Sequence, residues 1–110
     1  MEFLSELYVS DDMRGREAEA VKKLKEGKKD PFLYVIVLSS NEDSQLDLIS
    51  SLMLFMPGQQ IEETDKMLVA GLSSTKDNGI ELIARIAAEC LEQTGSCDIR
   101  SYLSKKERCL

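Results

Sequence analysis

Two serine-rich stretches, Ser39-Ser40-Asn41 and Ser73-Ser74-Thr75, hold the side chains best placed by type and spacing to do chemistry. Each follows an apolar run and precedes a segment with helical character. A helix N-terminus leaves backbone N–H groups unpaired and carries partial positive charge, and hydroxyls beside it add donors. That combination suits a small anionic ligand such as a phosphate, a carboxylate or a nucleotide. The plainer expectation is capping, because Ser, Thr and Asn before a helix accept bonds from its first N–H groups. Neither stretch has the glycines that let backbone approach a phosphate closely. Asp43 and Asp77 would also repel an anion.

No other constellation points to catalysis. The chain has no histidine, so a serine or cysteine nucleophile lacks its usual base. The acidic pairs Asp11-Asp12 and Glu62-Glu63 read as a cap and as loop solvation, and no calcium-loop pattern is present. We assign no catalytic residue, no metal ligand and no cofactor from the sequence. Cys90, Cys97 and Cys109 are odd in number and in no metal spacing, which fits free thiols in a reducing compartment. Cys90 falls on the apolar face of a helix. Cys97 lies beside the start of the last helix, where a thiolate would be stabilised.

The elements that must position these residues follow from periodicity. Ser10-Asp11-Asp12 offers an N-cap to a first helix whose thin stripe is Met13, Glu17, Ala20, Val21 and Leu24. Gly27 ends it, and Asp30-Pro31 turns the chain. The cluster Lys22, Lys23, Lys25, Lys28 and Lys29 complements the carbonyl end of that helix. Phe32 to Leu38 is seven apolar residues in a row, the signature of a strand buried on both faces. A second helix is expected from about Glu42 to Met56, stopped by Pro57-Gly58. A second strand is expected over Lys66 to Leu72, then a third helix over Asp77 to Thr94 with Ile80, Ile83, Ile86, Ala87, Cys90 and Leu91 on one face. Gly95 is its C′ residue, and Asp98 caps a short last helix.

The two strand–helix units resemble each other. Val35, Leu38, Ser39, Ser40, Asp43, Leu48 and Ile49 correspond, at one constant offset, to Val69, Leu72, Ser73, Ser74, Asp77, Leu82 and Ile83. The expectation is therefore one α/β domain over residues 1–110, a layered α-β-α-β-α arrangement with βα repeats at about 32–56 and 66–94. A strand–helix–strand crossover makes the two strands parallel neighbours, with both serine turns at one carboxyl edge. Two strands make a poor sheet, so residues 2–9 or 59–64, or a second copy, should complete it. Leu46, Leu48, Ile49, Leu52, Met53, Leu54, Phe55 and Met56 would make the second helix apolar all round, which favours burial in a homodimer. The expected contact residues are Leu52, Met53, Phe55 and Met56.

Composition bounds the partners. The 110 residues are 43% apolar and 31% charged, with net charge −6, which argues against disorder and against a nucleic-acid binder. No apolar run approaches the ~20 residues of a membrane span, and the acidic N-terminus is unlike a secretory signal. The reading is a cytoplasmic, non-enzymatic protein-interaction or regulatory module acting as a homodimer. A small anionic-ligand domain using the two serine turns is the alternative.

Overall fold

A computed structural model describes residues 2–28, 30–38, 46–54, 68–106 and 108–109. The elements are β1 (Glu2–Val9), a 3-10 turn (Asp11–Met13), α1 (Glu17–Lys25), β2 (Tyr34–Leu38) and β3 (Asp47–Ser50). Then come α2 (Ser51–Leu54), β4 (Leu68–Ser73), α3 (Lys76–Thr94), α4 (Ile99–Ser104) and β5 (Arg108–Cys109). The strands form one mixed sheet in the order β3-β2-β4-β1-β5. The α/β class expected from the sequence is therefore what the chain adopts. No helix among the described residues is long and apolar enough to cross a membrane.

The sheet is completed within the chain by β1, one of the two segments expected to supply a strand. β4 is central and buried along its whole length. One core layer, Phe3, Met13, Ala20, Leu24, Leu33, Val35, Val37, Val69 and Leu72, lies under α1. The other joins Leu4, Ile36, Leu38, Leu68 and Ala70 to Leu82, Ile86 and Cys90 of α3 and Ile99 and Leu103 of α4. Along β2, Val35 and Val37 serve one layer while Ile36 and Leu38 serve the other, as strand alternation requires. That is why this run carries no polar residue.

Three expectations change. β2 and β4 are neighbours but antiparallel, with Tyr34 opposite Ser73 and Leu38 opposite Leu68; the parallel pair is β1 with β4. The cause is the segment expected to be a crossover helix. Residues 47–50 instead form β3, antiparallel to β2, and the described part of α2 is Ser51–Leu54. Leu46 and Leu48 pack on the α3 side while Ile49 packs on the α1 side, a period of two that fits a strand and not a helix. The strand–helix unit expected over 32–56 is thus strand–strand in its described part.

The first helix is also shorter than expected. Gly15 takes φ +86°, a left-handed conformation, and divides the Asp11–Met13 turn from α1. In α3 the buried stripe is Gly79, Leu82, Ile86 and Cys90. Ile80 and Leu91, expected on that face, are about half exposed on its flanks. The ends behave as expected: Thr75 Oγ1 accepts from the Asn78 N–H at 3.1 Å, and Gly95 closes α3 at φ +72° with its N–H on the Leu91 carbonyl at 2.8 Å. Asp98 caps α4 through the Ser101 N–H.

Candidate ligand cleft and contact surface

The carboxyl ends of parallel strands are where ligands collect in open sheets, and β1 with β4 supplies that edge. Val9 lies opposite Leu72, and the Ser10 N–H donates to the Leu72 carbonyl at 3.2 Å. Two turns therefore emerge together, Ser10-Asp11-Asp12 and Ser73-Ser74-Thr75. Ser10 Oγ donates to Asp12 Oδ1 at 2.6 Å, and Asn78 Nδ2 reaches the same oxygen at 3.4 Å. This contact joins residues 66 positions apart, and no local pattern announces it.

Of the expected ligand residues, the structure gathers Ser73, Ser74 and Thr75. Ser73 is fully buried; its hydroxyl donates to the Thr75 carbonyl at 2.6 Å and accepts from the Thr75 N–H at 3.2 Å. Thr75 is the helix cap. Both are thus occupied with the turn itself, the plainer of the two readings. Ser39, Ser40 and Asn41 lie outside the described residues. Because β2 and β4 are antiparallel, the ends of these strands at Leu38 and Ser73 fall on opposite edges of the sheet, which removes the expected side-by-side pair of turns.

Ser74 is different, half-buried and facing a cleft of about 360 Å³ with Met13, Arg16, Ala20, Lys23 and Leu33. Lys23 is committed to Asp30 at 3.0 Å and to Glu19 at 3.6 Å. The Phe32 N–H and the Lys23 ammonium hold the Asp30 carboxyl below its usual range, and Asp30 in turn raises Lys23. Arg16 has no ion pair among the described residues and is the available cation of the cleft. On the other side of the 10–12 turn, Asp11, Asp12, Asn78, Glu81 and Arg85 line a smaller recess of about 180 Å³ whose acids outnumber its base. Among the described residues, no group of three or more acidic or thiol side chains is arranged to hold a metal ion.

The second candidate is a surface. Leu52 and Met53 of α2 are 38% and 46% exposed, and Phe32, just before β2, is 74% exposed. One anchor sets them at a common corner: buried Ser51 donates its N–H to the Leu33 carbonyl at 3.0 Å. Its hydroxyl also accepts from the Asp30 N–H at 2.9 Å and donates to the Asp30 carbonyl at 2.6 Å. Phe55 and Met56, expected to share this surface, lie outside the described residues. Phe32 was missed because an apolar residue at the head of an apolar run reads as strand. The whole stretch from Ser44 to Ile61 carries one charge, Asp47, in a chain that is 31% charged.

Comparison with protein-family models, with curated proteins and with solved structures finds no match for this chain.

Proposed function

We propose that this protein is a non-enzymatic interaction module whose contact surface is the β3 edge and the Phe32–Leu52–Met53 corner, and that its partner there is a second copy of the chain. Two earlier grounds for a dimer, an incomplete sheet and an all-apolar second helix, no longer bear on it. What supports the reading now is the edge itself. Solvent-facing edge strands are normally blunted by lysine, proline or covering loops. The described part of this edge, Leu46 to Leu54, contains no lysine and no proline, and Asp47 is its one charge. An antiparallel β3–β3 contact across a two-fold axis would continue the sheet and cover the exposed corner of each copy. Free Cys90 and Cys97 suit a reducing compartment such as the cytoplasm.

Mass measurement in solution tests it. The wild type should run as a dimer, and the double variant Leu52→Glu, Met53→Glu should be a folded monomer whose melt, unlike that of the wild type, does not depend on protein concentration. A wild-type monomer across the accessible concentration range would refute the proposal.

A second reading rests on Arg16 and Ser74 in the cleft beside the carboxyl end of β4, where a small anion such as phosphate would meet one free guanidinium and one hydroxyl. Phosphate or pyrophosphate should then raise the melting temperature, and Arg16→Ala should abolish that shift without moving the ligand-free melt. No ligand-dependent shift in the wild type would remove this reading.

A further inference from the structure

The last turns of α3 and the loop after it hold two thiols in unlike surroundings. Cys90 is fully buried, and Cys97 is exposed. The Cys90 thiol donates to the Ser96 carbonyl oxygen at 3.2 Å. That oxygen and the Cys97 Cα belong to one planar peptide unit. The Cys90 sulfur therefore stands within about 6 Å of the Cys97 Cα. On one side the turn is fixed by the Thr94 hydroxyl, which donates to the Cys90 carbonyl at 2.7 Å. On the other, the Ile99 N–H donates to the Cys97 carbonyl at 3.0 Å. Between these anchors lies Gly95, left-handed and with open space around its α-carbon. A disulfide places its Cβ atoms about 3.8 Å apart, and closing to that distance asks the Gly95–Cys97 turn to move and to give up the hydrogen bonds that tie Ser96 to Thr94 Oγ1, at 3.2 Å, and to the Asp98 N–H, at 3.1 Å.

We propose that Cys90 and Cys97 are a redox pair that hydrogen peroxide converts to an intramolecular disulfide across the end of α3. Peroxide meets the exposed Cys97 first. The Cys97 thiolate attacks one peroxide oxygen, the O–O bond breaks, and the departing hydroxide takes a proton to become water, leaving a sulfenic acid on Cys97. The Cys90 sulfur then attacks the Cys97 sulfur: the S–S bond forms, the S–O bond breaks, and the leaving hydroxide takes the Cys90 proton as a second water. Two thiols are oxidised and one peroxide is reduced. Burial keeps Cys90 from direct oxidation, and its aim at the turn makes it the resolving thiol.

The chain supplies its own readout. No lysine or arginine lies between Arg85 and Arg100, so trypsin releases Ile86–Arg100 with both thiols on one peptide and Cys109 on another. After peroxide treatment of the intact protein and alkylation of remaining thiols, that peptide should be lighter by two hydrogens and unalkylated, and a reductant should restore both alkylation sites. In Cys90→Ser, Cys97 should accumulate sulfenic and then sulfinic acid. Should that variant fail to fold, Cys97→Ser, altered at an exposed position, should leave Cys90 unoxidised under the same treatment. Two intact thiols in the wild-type peptide, sulfinic acid on wild-type Cys97 as the main product, or a cross-link to the Cys109 peptide would each overturn the proposal.

Discussion

Gly71 lies in the central strand at the point where β1 passes closest, and replacing it by alanine is the sharpest test of the packing. The β1–β4 register runs Phe3 opposite Val69 and then Tyr8 opposite Gly71, so β1 carries extra residues between two pairs and bulges over its partner. A Cβ on Gly71 would stand 2.9 Å from the Tyr8 carbonyl oxygen, 3.2 Å from Ile36 Cδ1 and 3.3 Å from Leu82 Cδ2. Alanine in a strand interior normally gains about 0.5–1 kcal/mol over glycine. Overpacking costs about 1–3 kcal/mol, and the nearest obstacle here is backbone, which cannot rotate aside. The net expectation is a loss of about 1–2 kcal/mol, or about 4–10 °C in melting temperature for a chain of this size. Urea denaturation followed by circular dichroism reads it directly. Gly79→Ala is the internal control, since its Cβ would meet the tips of Leu48 at 2.6 and 2.9 Å, on a half-buried side chain of an edge strand that is able to turn away. The control should stay within about 1 kcal/mol of wild type. A Gly71→Ala protein as stable as wild type, or more so, would refute the close approach of β1 and the bulge that produces it.

Three further outcomes are expected. Tyr8 and Tyr102 both donate to Glu89, at 2.8 Å from Tyr102, and Lys106 lies over both rings, 4.9 Å from the Tyr102 centroid and 6.0 Å from Tyr8. Burial alone would raise the Glu89 carboxyl, but the two hydroxyls and the Lys106 charge outweigh it and hold the group below its usual range. A lowered carboxylate stabilises the fold above its unfolded pKa, and the contribution is lost as pH falls through the folded value. Glu89→Gln should therefore cost about 1–2 kcal/mol at neutral pH, and the gap from wild type should close in acid, read as urea midpoints across pH; a gap constant with pH would refute the assignment. Ser51→Ala removes two hydrogen bonds from a fully buried site and leaves the Asp30 backbone groups short of partners, for a loss of about 1–3 kcal/mol in the same assay. Thr75→Ala removes the α3 cap and should cost about 1 kcal/mol; no change would mean that the Asn78 N–H finds another acceptor.

What the sequence made legible depended on how local the determining physics was. The seven apolar residues of 32–38 and the stop and start signals around α3 are decided by their own neighbours, so Thr75, Gly95 and Asp98 do what their types imply. β1 resisted assignment because Phe3 and Leu4 feed opposite core layers while Ser5 and Glu6 after them are exposed, so the segment reads neither as an alternating strand nor as a continuous apolar one. The 46–54 segment was ambiguous in kind: apolar residues on every side describe a buried helix as well as an edge strand that feeds both core layers. The direction of β2 against β4 then followed from that one choice. At the cleft, Ser74 was visible as a turn residue. Arg16 was not, because only the β1–β4 pairing brings the start of α1 beside the end of β4.

The strand order also governs when the fold can form. β4 lies between β2 and β1, and it begins at Leu68. On an emerging chain β1 and α1 appear first and find no sheet to join, and β2 can do no more than fold back on β3. Only when residue 73 has cleared does one segment arrive that zips to both waiting strands. Such distant pairing is slow relative to local helix formation, and a half-made chain meanwhile displays apolar strand edges that invite association with other chains. That interval lasts until residues 39–73 have followed β2 into solution, so a chain that stops before Leu68 should keep those edges exposed and associate with its copies.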